Sequence, residues 1–143
     1  MSLPDEPTIE RTTDLDMSVD ELWTLISTSD GWSSWLTDEA HIVVAPDTIG
    51  TTIDDGVVRE IRVDSVSDGR RVGFTWWDRD DSSSASFVHL EIVELPDNRS
   101  QLHVSERFIG VTSTTAMSCS TAVSWDVRMV SLWLLASHCT VIA

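Results

Sequence analysis

Val57-Val-Arg-Glu-Ile-Arg-Val-Asp-Ser-Val-Ser-Asp-Gly-Arg-Arg-Val-Gly-Phe-Thr-Trp-Trp77 is the stretch on which the fold depends. Val57, Ile61 and Val63 recur at the two-residue period of a strand, and Val72, Phe74 and Trp76 do the same further on. Between them Ser67-Asp68-Gly69 is a turn signal, because its glycine tolerates the positive φ that a tight reversal needs. The pair reads as a hairpin. Outward from it, Ile42–Val44 ends at Ala45-Pro46-Asp47, and Thr51–Ile53 ends at Asp54-Asp55-Gly56. Asp78 to Ser84 reads as a polar loop, Phe87–Leu95 ends at Pro96-Asp97-Asn98, and Gln101–Phe108 closes the series. Consecutive strands joined by short turns predict an antiparallel meander rather than a parallel sheet.

The flanks change period. Ile9 to Met17 alternates as a strand, and Ser18-Val-Asp-Glu21 has the spacing of a capping box that opens a helix carrying Leu22, Leu25 and Ile26. A break at Ser29-Asp30-Gly31 separates it from a second short helix with Trp32, Trp35 and Leu36. Beyond Thr115 the pattern becomes helical: Ala122, Trp125, Met129, Leu132 and Ala136 recur at three- and four-residue steps, widened by Val123, Val130 and Trp133. Towards Leu135 this helix is apolar nearly all round, which implies burial on most sides or contact with another subunit. An α+β domain follows, a sheet of about six to seven strands wrapped around one long C-terminal helix, with two short helices after the first strand. Residues 1–8 read as a flexible lead-in and 9–143 as a single domain.

This order resembles the helix-grip fold of the START-like (Bet v 1-like, SRPBCC) superfamily, and within it the branch related to the C-terminal domain of the activator of Hsp90 ATPase. The residues that carry the resemblance are Ile9-Glu-Arg11, Val19-Asp-Glu-Leu-Trp23, Gly31-Trp-Ser-Ser-Trp-Leu36, Arg71-Val-Gly-Phe-Thr-Trp-Trp77, Val104-Ser-Glu-Arg107, and Trp125 leading the last helix. The resemblance implies a cavity between sheet and helix. Its members range from lipid carriers and hormone receptors to polyketide cyclases, so fold does not settle function. Val111 to Ser124, poor in charge and rich in Ser and Thr, departs from the usual pattern and leaves the start of the last helix open.

Composition prunes the choices. Nine basic residues, all arginine, stand against 24 acidic ones for a net charge of −15. Such a surface repels phosphate backbones and anionic headgroups, so neither nucleic acid nor membrane insertion is expected. The lysine-free, Asp-, Ser-, Thr- and Val-rich composition suggests a high-GC bacterial genome or salt adaptation. With no lysine and no tyrosine, Schiff-base and phenolic chemistry are excluded. Met1-Ser-Leu-Pro-Asp-Glu-Pro7 lacks a basic flank and apolar run, so a cytoplasmic location is expected. Cys119 and Cys139, roughly 30 Å apart if both lie on one helix, read as free thiols. His41, His89, His103 and His138 have no metal-ligand spacing, so neither metal nor other cofactor is expected.

Period-two counting singles out polar residues on the apolar faces. Arg59 shares its side with Val57, Ile61 and Val63; Glu106 with Leu102, Val104 and Phe108; Asp78 with Phe74 and Trp76. A charge facing an apolar interior must be paired or bind something. Either Arg59 and Glu106 form an internal ion pair, or the charges reach water at strand ends, or Arg59 holds a ligand oxyanion while Glu106 or Asp78 accepts a proton or hydrogen bond. Trp76, Trp125 and Trp133 read as core, and Trp32 and Trp35 as core or as stacking surfaces at a pocket mouth. Phe74, Trp76, Trp125 and Met129 complete the candidate lining. Three functions fit: binding of a hydrophobic or aromatic small molecule with no assignable catalysis; a cyclase- or hydrolase-like enzyme using an in-cavity carboxylate; or an Hsp90-activator-like interaction module. The apolar last helix also leaves a homodimer open.

Overall fold

The computed structural model describes residues 8–109 and 125–141; the side chains of Ser82, Asp126, Val127 and residues 136–141 lie outside that description. Expectations about the first seven residues, Cys119, Ala122 and Val123, and about the side chains of His138 and Cys139, therefore fall outside it as well. The elements are β1 (Thr8–Leu15), α1 (Val19–Ser27), α2 (Ser29–Trp35), β2 (Glu39–His41), β3 (Ile49–Asp54), β4 (Val57–Ser67), β5 (Arg71–Asp78), β6 (Asp81–Leu95), β7 (Arg99–Phe108) and α3 (Trp125–Val141). All strands join one antiparallel sheet in the order β1-β7-β6-β5-β4-β3-β2. β2 to β7 is a meander, and β1 closes onto β7. No helix among the described residues is long and apolar enough to cross a membrane.

The turns follow local chemistry. β3 and β4 are joined by Asp55 and Gly56 alone, at φ of 52° and 79°, which is the sign a two-residue hairpin loop demands. Gly69, at φ 76°, reverses the chain between β4 and β5. Leu15, Ile61, Val63, Val72, Phe74, Trp76, Val88, Leu90, Leu102 and Val104 are buried on the inner side of the sheet, and α1, α2 and α3 add Leu22, Ile26, Trp32, Trp35, Trp125, Met129 and Leu132.

The helical hairpin is tighter than its sequence suggests. Ser18 caps α1 through the expected reciprocal bonds with Glu21. α2 starts at Ser29, one residue past a break that is Thr28 alone, whose hydroxyl accepts from the Gly31 N–H at 2.9 Å. Gly31 is thus inside the helix rather than in the break. It is there because α1 leaves no room: a Cβ at this position would stand 2.5 Å from the Thr24 carbonyl oxygen. The carbonyls of Leu25 and Ile26 in the last turn of α1 accept from the indole N–H groups of Trp35 at 2.9 Å and Trp32 at 2.7 Å.

Three further expectations are corrected. β2 is Glu39–His41 rather than 42–44: these three residues pair with Thr51–Ile53 of β3, and the Asp38 carboxylate just before them accepts from the Asp55 N–H at 2.9 Å. Part of the polar stretch Asp78 to Ser84 belongs to β6, which begins at Asp81, pairs with Asp78 and passes a register shift between Trp76 and Asp78. The stretch is held to β5 and β7 at its ends, Asp81 against Asp78 and Ser86 against Trp76 and Phe108, and the Ser84 hydroxyl accepts from the Asp78 N–H. Trp133, expected in the core, is instead exposed with Val130 and Leu134, so between Arg128 and Leu135 the helix is buried on one side.

On the outer face His89 lies across Gly73, with its ring 4.6 Å from that of Phe87. Burial, and then the Arg71 guanidinium, hold its imidazole below the ordinary value of 6.5, with Glu91 opposing. The unfolded chain therefore takes up this proton more readily. The stability involved is complete above about pH 6.5 and is lost as pH falls through that value towards the lower folded pKa. Urea unfolding of the wild type should weaken across this window more than that of His89→Gln; parallel curves would refute the assignment. Gly31→Ala should cost about 2 kcal/mol in the same measurement, because backbone of α1 must move.

Candidate functional site

The hairpin register brings the site together. Thr52 of β3 stands opposite Arg59 of β4, and Arg59 opposite Asp78 of β5, so the three form one cross-strand row on the inner side of the sheet. The next row holds Ile61, Trp76, Ser86 and Phe108, and the one after it Val63, Phe74, Val88 and Glu106. Polar groups therefore collect at the end of the core where β3, β4 and β5 meet the first turns of α3.

Glu106 is the centre of this cluster. Only 2% of it is exposed, and both carboxylate oxygens are engaged. Oε1 accepts from Trp125 Nε1 at 2.9 Å. Oε2 accepts from Ser86 Oγ at 2.5 Å and from Trp76 Nε1 at 3.2 Å; the same indole N–H is also 3.0 Å from Ser86 Oγ. Three donors on three elements thus offset the desolvation of one buried carboxylate.

Arg59, 7% exposed, lays its guanidinium over the Trp76 ring at 5.0 Å from the centroid, a cation–π contact on the indole whose edge serves Glu106. Burial pulls its pKa below the usual arginine value, and Asp54, Glu106 and Asp78 oppose that fall. Asp54 itself pairs with Arg128 on α3, tying the β3–β4 hairpin to the helix. Asp78 is half-buried: its N–H donates to Ser84 Oγ at 2.8 Å and its Oδ1 accepts from the Asp80 N–H at 2.9 Å, so it shapes the β5–β6 turn beside Arg59.

The other candidates are core residues by position. Trp32 meets Phe74 at 4.9 Å between ring centroids, Phe74 meets Trp76 edge-on at 5.1 Å, and Trp35 meets Trp125 at 6.5 Å. Trp32 and Trp35 also spend their N–H groups on α1. Met129 is buried one turn beyond Trp125. The residues not anticipated are Ser86, Thr52, Asp54 and Arg128. Thr52 is fully buried, and its hydroxyl has no hydrogen-bond partner among the described residues. The two-residue Asp55-Gly56 turn could have revealed it, since that turn dictates the pairing of Thr52 with Arg59. Among the described residues no cluster of His, Cys, Asp and Glu is arranged to hold a metal.

A seven-stranded antiparallel sheet, two short helices after its first strand and a long C-terminal helix make up the α+β helix-grip fold, and this chain has that fold. Solved structures share it. The Aha1 dimer from Colwellia psychrerythraea superposes with a TM-score of 0.73 at 14% identity, over 91% of this chain and 96% of that one. CalU16 from Micromonospora echinospora gives 0.69 at 20% identity, over 91% and 76% respectively. DynU16, a protein of the dynemicin biosynthetic locus, gives 0.63 at 16% identity, over 93% of this chain and 44% of that one. No protein-family model and no curated protein matches the chain. At these identities the likeness is one of fold.

Glu106→Gln keeps the shape of the side chain but turns one acceptor oxygen towards its donors as an NH2 group. It should cost about 2–3 kcal/mol in urea unfolding, the range for a buried hydrogen bond to a charged group. A loss under about 0.5 kcal/mol would mean that the carboxylate does not hold the cluster together.

Proposed function

We propose that this chain binds an apolar small molecule bearing one polar group, at the end of the core bounded by Thr52, Arg59, Trp76 and the first turns of α3, and that it does not turn the molecule over. The observation that carries this reading is the Thr52 hydroxyl, wholly desolvated and without a partner among the described residues. Leaving such a group unmet costs about 1–3 kcal/mol, which a ligand atom in reach would recover. Ligand sites are commonly built this way, mostly apolar with few polar groups. Sharing a fold with DynU16, whose locus is biosynthetic, is in keeping with a small-molecule ligand.

The engagement of Glu106 weighs against the enzymatic alternative. A general base needs a lone pair aimed at the substrate proton. Here one oxygen is taken by Trp125 and the other by Ser86 and Trp76, so the carboxylate serves packing first. Arg59, stacked on Trp76, and Thr52, one register pair away, are the groups that would meet the ligand's polar end.

Native mass spectrometry of gently purified protein tests this directly. The expected spectrum holds the 15.9 kDa chain with one small molecule in stoichiometric amount. Thr52→Val should lower that occupancy while raising the melting temperature of the stripped protein, since an orphan hydroxyl becomes a methyl group. A bare chain that also fails to quench or shift its tryptophan emission with the neutral apolar dye Nile red would reject ligand binding.

A further inference from the structure

The C-terminal helix is apolar on two sides. Trp125, Met129 and Leu132 are buried, whereas Val130, Trp133 and Leu134 are 57%, 53% and 49% exposed. Spacings of three and four residues place those three side by side on one outward ridge. Exposed apolar residues also occur elsewhere, at Val43 and Ile49. What distinguishes α3 is charge. All but one of the 24 acidic residues lie at or before Glu106, and the exception is Asp126. From Val127 to Ala143 the sequence contains no Asp or Glu, and its ionisable side chains are Arg128, His138 and Cys139.

On a chain of net charge −15, this decides what can approach the ridge. An anionic lipid surface is repelled by the molecule as a whole and finds no basic cluster on α3 to hold it. A basic protein is drawn to the carboxylate-bearing surfaces, not to a ridge set in the stretch Val127 to Ala143, which has no Asp or Glu. A second copy is different: α3 is where two such chains can meet without pressing acid against acid, and a ridge that faces itself forms a closed two-fold contact. We infer that α3 is a dimerisation seam, in which Val130, Trp133 and Leu134 of two copies pack against one another while the acidic sheet and hairpins stay in solvent. Ligand binding is a separate matter and neither requires nor follows from this contact.

Sedimentation equilibrium of the full chain reads it out. A species of twice 15.9 kDa should appear with rising concentration. Added salt should tighten it, because screening weakens the long-range repulsion of the acidic surfaces and leaves apolar contact in place. Trp133→Glu should weaken association on the order of 100-fold, as loss of a central interface tryptophan does, with unchanged circular dichroism because the residue is exposed in the protomer. Val43→Glu, at an exposed apolar site away from α3, should leave association as it was. A chain monomeric at every concentration in high salt overturns the proposal, as does a dimer indifferent to Trp133→Glu.

Discussion

One buried carboxylate organises the interior. Glu106 on β7 reaches Trp76 on β5, Ser86 on β6 and Trp125 on α3, so a single anion ties three strands to the helix. A charge this deep is tolerated only while its donors stay in place. That requirement propagates. Trp76 must present its edge to Glu106, which leaves its face for Arg59, and Trp125 must enter at the head of α3, which sets Met129 and Leu132 in the next turns of the core. The Asp54–Arg128 pair fixes the same helix to the β3–β4 hairpin. The polar end of the core is thus a mutually dependent set rather than a scatter of tolerated charges.

Much of the fold was legible because its signals are local. Alternation in Val57–Trp77, the Ser67-Asp68-Gly69 turn and the Ser18/Glu21 capping box all translate into structure with little shift. What misled were segments whose structure is imposed from a distance. The serine-rich start of β6 lacks strand-forming side chains but is anchored at both ends, Asp81 against Asp78 and Ser86 against Trp76 and Phe108. Gly31 looks like a breaker yet is demanded by contact with α1. Trp133 joins the apolar stripe of α3 by spacing but faces outward, because a helix apolar on two sides does not announce which one meets the sheet.

The site was partly legible for the same reason. Period-two counting put Arg59 and Glu106 on inner faces, and both are buried there. Trp76 links the two, its face towards the cation and its N–H towards the anion. An aromatic ring as intermediary cannot be seen by counting charges. Ser86 and Thr52 were missed because a hydroxyl carries no period of its own. Both become visible only once the strand register is known.

The α1–α2 hairpin has a consequence for how the molecule opens. Helix ends are usually finished by their own neighbours in sequence, a glycine or a basic side chain in the last turn. α1 has neither: it runs into Thr28 in extended conformation, and the carbonyls of Leu25 and Ile26 borrow their donors from tryptophans that belong to the next helix. Neither helix can therefore fray alone without stranding polar atoms of both. Together they form one cooperative unit, a foldon that opens whole or not at all.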